Sequence, residues 1–271
     1  MKLKITLAIF ITTILFTGCD LTSSLNEDPP HLITSDKLYT NYSGFETGIN
    51  GAYSEIRYEI RDASQPFQIF VTATDNMCPN YISGFGTLAS KWGAVNNSAN
   101  SHLRNAFNWL YGIINATNTI IGRAEDENID WSGGKGTVTE NKNYIIAEAK
   151  AIRAWAYRHL TYLWGDVPLS LVESSGNSIK TDWERTPVRE VRAQIIEDLL
   201  FAEQYIPVEP IAGRMSKGAV QHLLAEMYLV LNDPGKALQW ADKVINTPAY
   251  KLVTERYGVK SDHPGVPFMD M

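Results

Sequence analysis

The strongest hydrophobic pattern in the chain lies between Tyr144 and Leu169, where Ile145, Ala149, Ile152, Ala156, Leu160 and Leu163 recur at intervals of three and four. That spacing sets them on one face of a helix. Trp155 and Tyr162, seven apart, make a second, bulkier stripe beside it, so the helix is predicted to be wrapped on two sides. Alanines at 147, 149, 151, 154 and 156 favour helix and let another backbone approach closely, while Gly165 and Pro168 stop it. The stretch before it, Glu125 to Asn143, reads as a polar connection.

The same period recurs along the chain. Phe45, Ile49, Ala52, Tyr53, Ile56 and Ile60 predict an amphipathic helix over 42–61, with Thr34-Ser35-Asp36 offered as a cap ahead of it. Ala106, Leu110, Ile113, Ala116 and Ile120, with Trp109 alongside, predict a helix over 105–123. Pro187 opens another, with Val188, Val191, Ile195, Leu199 and Ala202 on its buried face, ending at Pro207. Over 217–246, Leu224, Ala225 and Tyr228 precede the turn Asn232-Asp233-Pro234-Gly235, and Ala237, Leu238, Ala241, Val244 and Ile245 follow it, with Pro248 beyond. Leu-Ala-x2-Tyr, a later Ala and a late Pro match the tetratricopeptide hairpin, and Ala154 and Tyr157 repeat its Ala-x2-Tyr spacing. The predicted fold is mainly α, a tetratricopeptide-like solenoid of helical pairs with long irregular loops, each pair needing a neighbour to cover its apolar side.

Between these helices, 65–101 breaks periodicity with Pro66, Pro79, Gly84, Gly86 and Gly93 while scattering Phe67, Phe70, Tyr81, Phe85 and Trp92 through it. A Ser/Asn/Gly-containing loop runs from Pro168 to Thr186. At the start, Lys2 and Lys4 followed by the apolar run Ile5–Phe16 read as an export leader over 1–18, too short for a membrane span, which takes about 20 residues. Leu15-Phe16-Thr17-Gly18-Cys19 resembles a bacterial lipobox, with Phe16 where leucine is usual. Cys19 is then the lipidated residue, and 19–33, with two prolines and no periodicity, a tether ahead of a body over 34–271. An ordinary secretory leader cut nearby is the other reading.

With 271 residues and 44% apolar composition the chain can bury a normal core. Its net charge of −6 leaves no basic stripe that would track phosphates, so nucleic acid is not an expected partner. Cys78, the second of two cysteines, has no intramolecular partner if Cys19 is acylated, and reads as a small buried apolar residue. Histidines at 31, 102, 159, 222 and 263 are isolated and show no zinc spacing. Gly133-Gly134-Lys135-Gly136-Thr137 has the composition of a phosphate loop without its strand-to-helix context and reads as a flexible loop, and no Gly-x-Ser-x-Gly elbow occurs. No catalytic residue, cofactor or metal is expected.

Several phrases resemble one family. Ala151-x-Arg153-Ala154-Trp155-Ala156-Tyr157 with Leu160-x-Tyr162-Leu163-Trp164-Gly165-Asp166-Val167-Pro168-Leu169 is similar to the signature helix of SusD/RagB-type outer-membrane nutrient-binding lipoproteins. So are Ile49-Asn50-Gly51-Ala52-Tyr53, Gly213-Arg214-x-x-Lys217-Gly218-Ala219 and the lipobox with its acidic tether. The resemblance implies helical pairs of tetratricopeptide type and a lipid anchor in the outer membrane. It further implies capture of an oligosaccharide or peptide and its delivery to a SusC-like TonB-dependent transporter. Glycan contacts in such proteins come partly from loops in the 75–109 region, which carries Asp75, Trp92, Asn96 and Asn97 over to the ligand face by position. A tryptophan and amides can stack a sugar and bond its hydroxyls; packing of Trp92 over the helices is the plain alternative. Such chains continue further than Met271, so an N-terminal portion is expected. A lipid-anchored scaffold with no nutrient ligand is the rival reading.

Overall fold

The structure is a computed structural model that describes residues 34–61, 70, 74, 97, 99–175, 179–209 and 211–251. The leader over 1–18, the tether over 19–33 with Cys19, and Cys78 lie outside the described residues. The chain divides into two compact units, Met1–Lys37 and Leu38–Met271. In the first, the Thr34 carbonyl accepts from the Lys37 N–H at 3.1 Å, and the single turn α1 (Ser35–Leu38) starts there.

The second unit is a run of helices: α2 (Tyr42–Arg61), α3 (Ser101–Arg123), α4 (Val138–Trp164), α5 (Val188–Tyr205), α6 (Lys217–Val230) and α7 (Pro234–Ile245). No strand occurs among the described residues, and the architecture is the expected tetratricopeptide-like helical stack. Packing follows chain order, α3 on α4, α4 on α5, α5 on α6 and α6 on α7, with α2 laid against both α3 and α4. One core cluster joins α3, α4, α5 and α6 around Leu110, Ile152, Tyr157, Ile195 and Leu224. A second, around Phe45, Ile49, Ile120, Trp131 and Ile145, closes the other end of α4.

Caps explain most helix starts, and they move some boundaries. Asn41, not Thr34-Ser35-Asp36, caps α2: its Oδ1 accepts from the Gly44 N–H at 3.0 Å. Asn100 starts α3 four residues before the predicted point by accepting from the His102 N–H. The central helix begins at Val138, six residues ahead of Tyr144, because Thr137 and Glu140 form a reciprocal capping box that satisfies two orphan N–H groups. Gly165, at φ 68°, ends it. Asn232, at φ 58°, and Asp233, capping Lys236, make the turn into α7.

The 125–143 connection is more than polar. Trp131 is 5% exposed and stacks on Phe45 with centroids 4.6 Å apart. Gly133 to Gly136 wrap the Asn141 side chain, whose Nδ2 donates to the Trp131 and Gly136 carbonyls while its Oδ1 accepts from the Gly136 N–H. A Cβ at Gly134 would strike that amide at 2.3 Å. The glycines therefore hold an asparagine, and the loop is clamped where a flexible one was expected.

The predicted stripe of α4 is buried from Ile145 to Leu160. It ends there: Leu163 and Tyr162 are 38% and 41% exposed, and the Tyr162 hydroxyl donates to Glu226 at 2.9 Å. On α7 only Ala237 is buried, while Leu238 and Ile245 are 62% and 75% exposed. Periodicity identifies an apolar face without showing where its neighbours stop.

Three charged residues of α4 are spent on pinning it. Arg153 forks onto Asp198 of α5 with two 2.8 Å bonds and donates its third arm to Asn118 of α3, at 4% and 0% side-chain exposure for the ion pair. Glu148, buried, accepts from Arg214 at 2.5 Å and from the Tyr53 hydroxyl of α2, and Arg214 also reaches Glu46 and Asn50. Arg158 pairs with Glu226 of α6, its Nε donating at 2.9 Å. His159, packed between Trp155 and Phe70, donates from Nδ1 to the Trp155 carbonyl, which leaves a neutral ring with Nε2 toward Arg158.

Asp198→Ala strands a buried guanidinium and is expected to lower unfolding free energy by about 3–5 kcal/mol, read from urea midpoints. Replacing the pair together, Arg153→Met with Asp198→Leu, is expected to cost less than that single change. Burial holds the His159 ring down at about 4 against 6.5 in an unfolded chain. Between those values the unfolded state binds more protons, so stability falls as pH drops from 6.5 toward 4, by an amount on the order of 2–3 kcal/mol from this residue. His159→Phe keeps the stacking and is expected to flatten the difference between urea midpoints at pH 7 and pH 4.5.

Candidate functional cleft

The signature phrase that ends α4 leads into a strap, described over 165–175 and 179–187, and its first half is tied down by a series of hydrogen bonds. Asp166 accepts from the Val188 N–H at 2.8 Å, and Val167 pairs with Thr186, so both ends of the strap are closed together. Pro168 accepts from the Tyr111 hydroxyl at 2.6 Å. Ser170 exchanges two bonds with the Tyr157 hydroxyl, receiving at its carbonyl and donating from its N–H. Asn118 donates to the Ser170 and Val172 carbonyls, and Asn115 trades bonds with the Ser174 backbone, N–H to Oδ1 at 2.7 Å and Nδ2 to carbonyl at 3.4 Å. Arg123 at the end of α3 pairs with Glu173 of the strap at 3.1 Å. Burial pushes the Tyr111 and Tyr157 hydroxyls far above their ordinary range, which keeps both as donors.

Between the strap and one face of α3 lies an open cleft of about 580 Å³, inside the usual range of roughly 300–1,000 Å³ for small-ligand sites. Phe107, Asn108, Tyr111, Gly112, Ile114 and Asn115 line it from the helix, and Pro168, Ser170, Ser174 and Trp183 from the strap. Phe107 stacks on Tyr111 at 4.7 Å and meets Trp164 edge-on at 5.3 Å, so the helix wall is a fixed aromatic group. Trp183 is 39% exposed, with the Lys180 ammonium 4.9 Å from its ring centre. The described lining residues include no carboxylate, amine or imidazole. Asn108 is exposed and makes no hydrogen bond to a described residue. Aromatic faces flanked by a free amide suit a ligand with apolar ring faces and hydroxyl edges. Among the described residues no three His, Cys, Asp or Glu side chains gather as a metal site.

Of the residues expected at a ligand face, Asp75, Trp92 and Asn96 lie outside the described residues. Asn97 is exposed ahead of α3, and its Oδ1 accepts from the Ala99 N–H in a local turn. It is not among the described residues that line the cleft. Trp109 is core, 9% exposed, donating from its indole to the Glu55 carbonyl. Phe107, Tyr111 and Trp183 were not anticipated. The available sign was a second stripe on α3, Phe107, Tyr111 and Asn115 at intervals of four, lying off the face that Leu110 and Ile113 bury.

Comparison with known proteins converges on one group. The SusD-like family model described as "Starch-binding associating with outer membrane" matches residues 44–229. SusD-like protein P2 of Formosa agariphila is 29% identical over 255 residues, covering 92% of this chain and 47% of that protein. A SusD-like protein of Bacteroides ovatus is 25% identical over 236 residues, covering 84% and 39%. The chain thus spans about half the length, or less, of these curated relatives. Among solved structures, a SusD superfamily protein from Bacteroides vulgatus superposes with a TM-score of 0.68 at 20% identity, over 80% of this chain and 46% of that one. Another from Parabacteroides distasonis gives 0.65 at 23% identity, over 83% and 47%. These likenesses carry the helical fold.

Proposed function

This chain belongs to the SusD-like family, and from that premise we propose that it takes part in capturing a carbohydrate at the outer membrane, with the cleft of α3 and the strap as a sugar-contacting surface. The observation that carries the reading is the cleft itself: three aromatic side chains, Phe107, Tyr111 and Trp183, and the free amide of Asn108, with no ionised group among the described lining residues. Stacking on a sugar's C–H face and bonding its hydroxyls needs that combination and no catalytic group. Asp75, Trp92, Asn96 and Asn97 add contacts from the segment preceding α3 in this reading.

Attachment follows from Cys19. Its sulfur is diacylated before 1–18 is removed, and the buried acyl chains, at about 0.8 kcal/mol per methylene, hold the protein at the membrane with 19–33 as tether. No helix among the described residues is long and apolar enough to cross a membrane. The anchored protein faces the exterior and hands its ligand to a SusC-like TonB-dependent transporter.

The full chain, expressed in a Gram-negative host, is expected to incorporate labelled palmitate and sediment with membranes, and Cys19→Ala to lose both. On an array of neutral and acidic oligosaccharides the wild type is expected to retain at least one glycan, with Trp183→Ala weakening it about ten-fold. Co-purification of a transporter with no glycan retained would favour the scaffold reading instead.

A further inference from the structure

Glycine inside a helix is unfavourable unless something requires it. At three of the seven glycines in the described helices a close neighbour does. A Cβ at Gly44 would sit 1.8 Å from the Leu38 carbonyl oxygen, at Gly48 2.6 Å from the Tyr39 ring, and at Gly218 2.5 Å from the Tyr250 ring. Gly112, in the middle of α3, has no such reason: a Cβ there would meet nothing within 4 Å, and its backbone is ordinary helix. Gly51 and Gly122 have equally open surroundings. Gly112 differs from both in lining the cleft. One turn earlier on the same helix face stands Asn108, with its unengaged amide, and Tyr111 and Trp183 share the lining.

We propose that Gly112 is the seat of a sugar ring: its bare backbone lets the C–H face of a pyranose lie directly against α3, while Tyr111 and Trp183 flank the ring and Asn108 bonds a hydroxyl at its edge. The ligand class is an unbranched glycan whose ring carries no bulky group on the seated face, since the space freed is that of one missing side chain. This assignment rests on the carbohydrate reading and adds to it a specific contact and a selection against substituted rings.

The test compares the full chain with Gly112→Ala and with Gly51→Ala as a matched control, on the same glycan array and by calorimetric titration of whichever glycan the wild type retains. Both substitutions improve helix propensity, so each is expected to raise the melting midpoint by about 1–3 °C. Gly112→Ala is expected to weaken binding about ten-fold or more, as one added methyl in a fitted pocket does, and Gly51→Ala to leave it unchanged. Gly112→Ala binding within two-fold of wild type overturns the seat while leaving the carbohydrate reading intact. A wild-type chain that retains no glycan on the array overturns both.

Discussion

The ion pair between Arg153 and Asp198, sealed between α4 and α5, is the constraint on which the stack depends. A guanidinium taken out of water is tolerated when each of its nitrogens finds an acceptor, and here Asp198 takes Nε and Nη2 and Asn118 takes Nη1. Helix α5 and helix α3 are therefore held at fixed heights along α4, since a slip of either would leave a charge stranded. Glu148 and Arg158 lie five residues to each side of Arg153, and five residues advance a helix by about 140° beyond a full turn. The three charges consequently leave α4 in three directions: toward α2 and Arg214, toward α3 and α5, and toward Glu226 of α6. Alanine stripes let the neighbours come close, and the charges decide where they stop.

The same network reaches the cleft. Asn118 accepts from Arg153 on its oxygen, and its amide nitrogen holds the Ser170 and Val172 carbonyls of the strap. Tyr157, one turn beyond Arg153, secures Ser170 from the other side. A buried charge thus fixes an amide, the amide fixes a loop, and the loop carries one wall of the cleft. The Arg-Ala-Trp-Ala-Tyr phrase and the Gly-Asp-Val-Pro-Leu phrase that follows it form one device in physical terms. The first supplies the pin and the tyrosine, and the second the helix stop, the cap on Val188 and the start of the strap.

Much of the fold is legible in the chain because helical packing writes itself at intervals of three and four. The faces of α2, α3, α4 and α5 and the turn at Asn232 follow from that period and from turn chemistry. What it does not carry are interactions between residues far apart in sequence. Arg153 and Asp198 are 45 positions apart, Tyr111 and Pro168 57, and Glu46 and Arg214 168. Nothing local distinguishes Glu148 from a solvated glutamate in an alanine-rich helix. The start of α4 was missed for a different reason: residues 138–143 are polar, and the signal lay in the Thr137–Glu140 capping box. The cleft was missed because Trp183 sits in an aperiodic strap, and only tertiary structure places it beside the second stripe of α3.

A physical division of labour follows between the two kinds of polar group in this fold. The charges Glu148, Arg153 and Arg158 of α4 are each consumed by a partner outside that helix, whereas the described lining of the cleft is aromatic rings, amides and hydroxyls. A neutral lining of that sort gains little from long-range attraction and is insensitive to salt. What such a lining offers is shape: how flat the floor is, how the rings are angled, where the amide stands. Shape in turn requires walls that do not move when the site is empty. The strap, tied to α3 and α4 at Pro168, Ser170, Val172 and Ser174, meets that requirement. The shape of this cleft is thereby a consequence of core electrostatics that lie outside its lining.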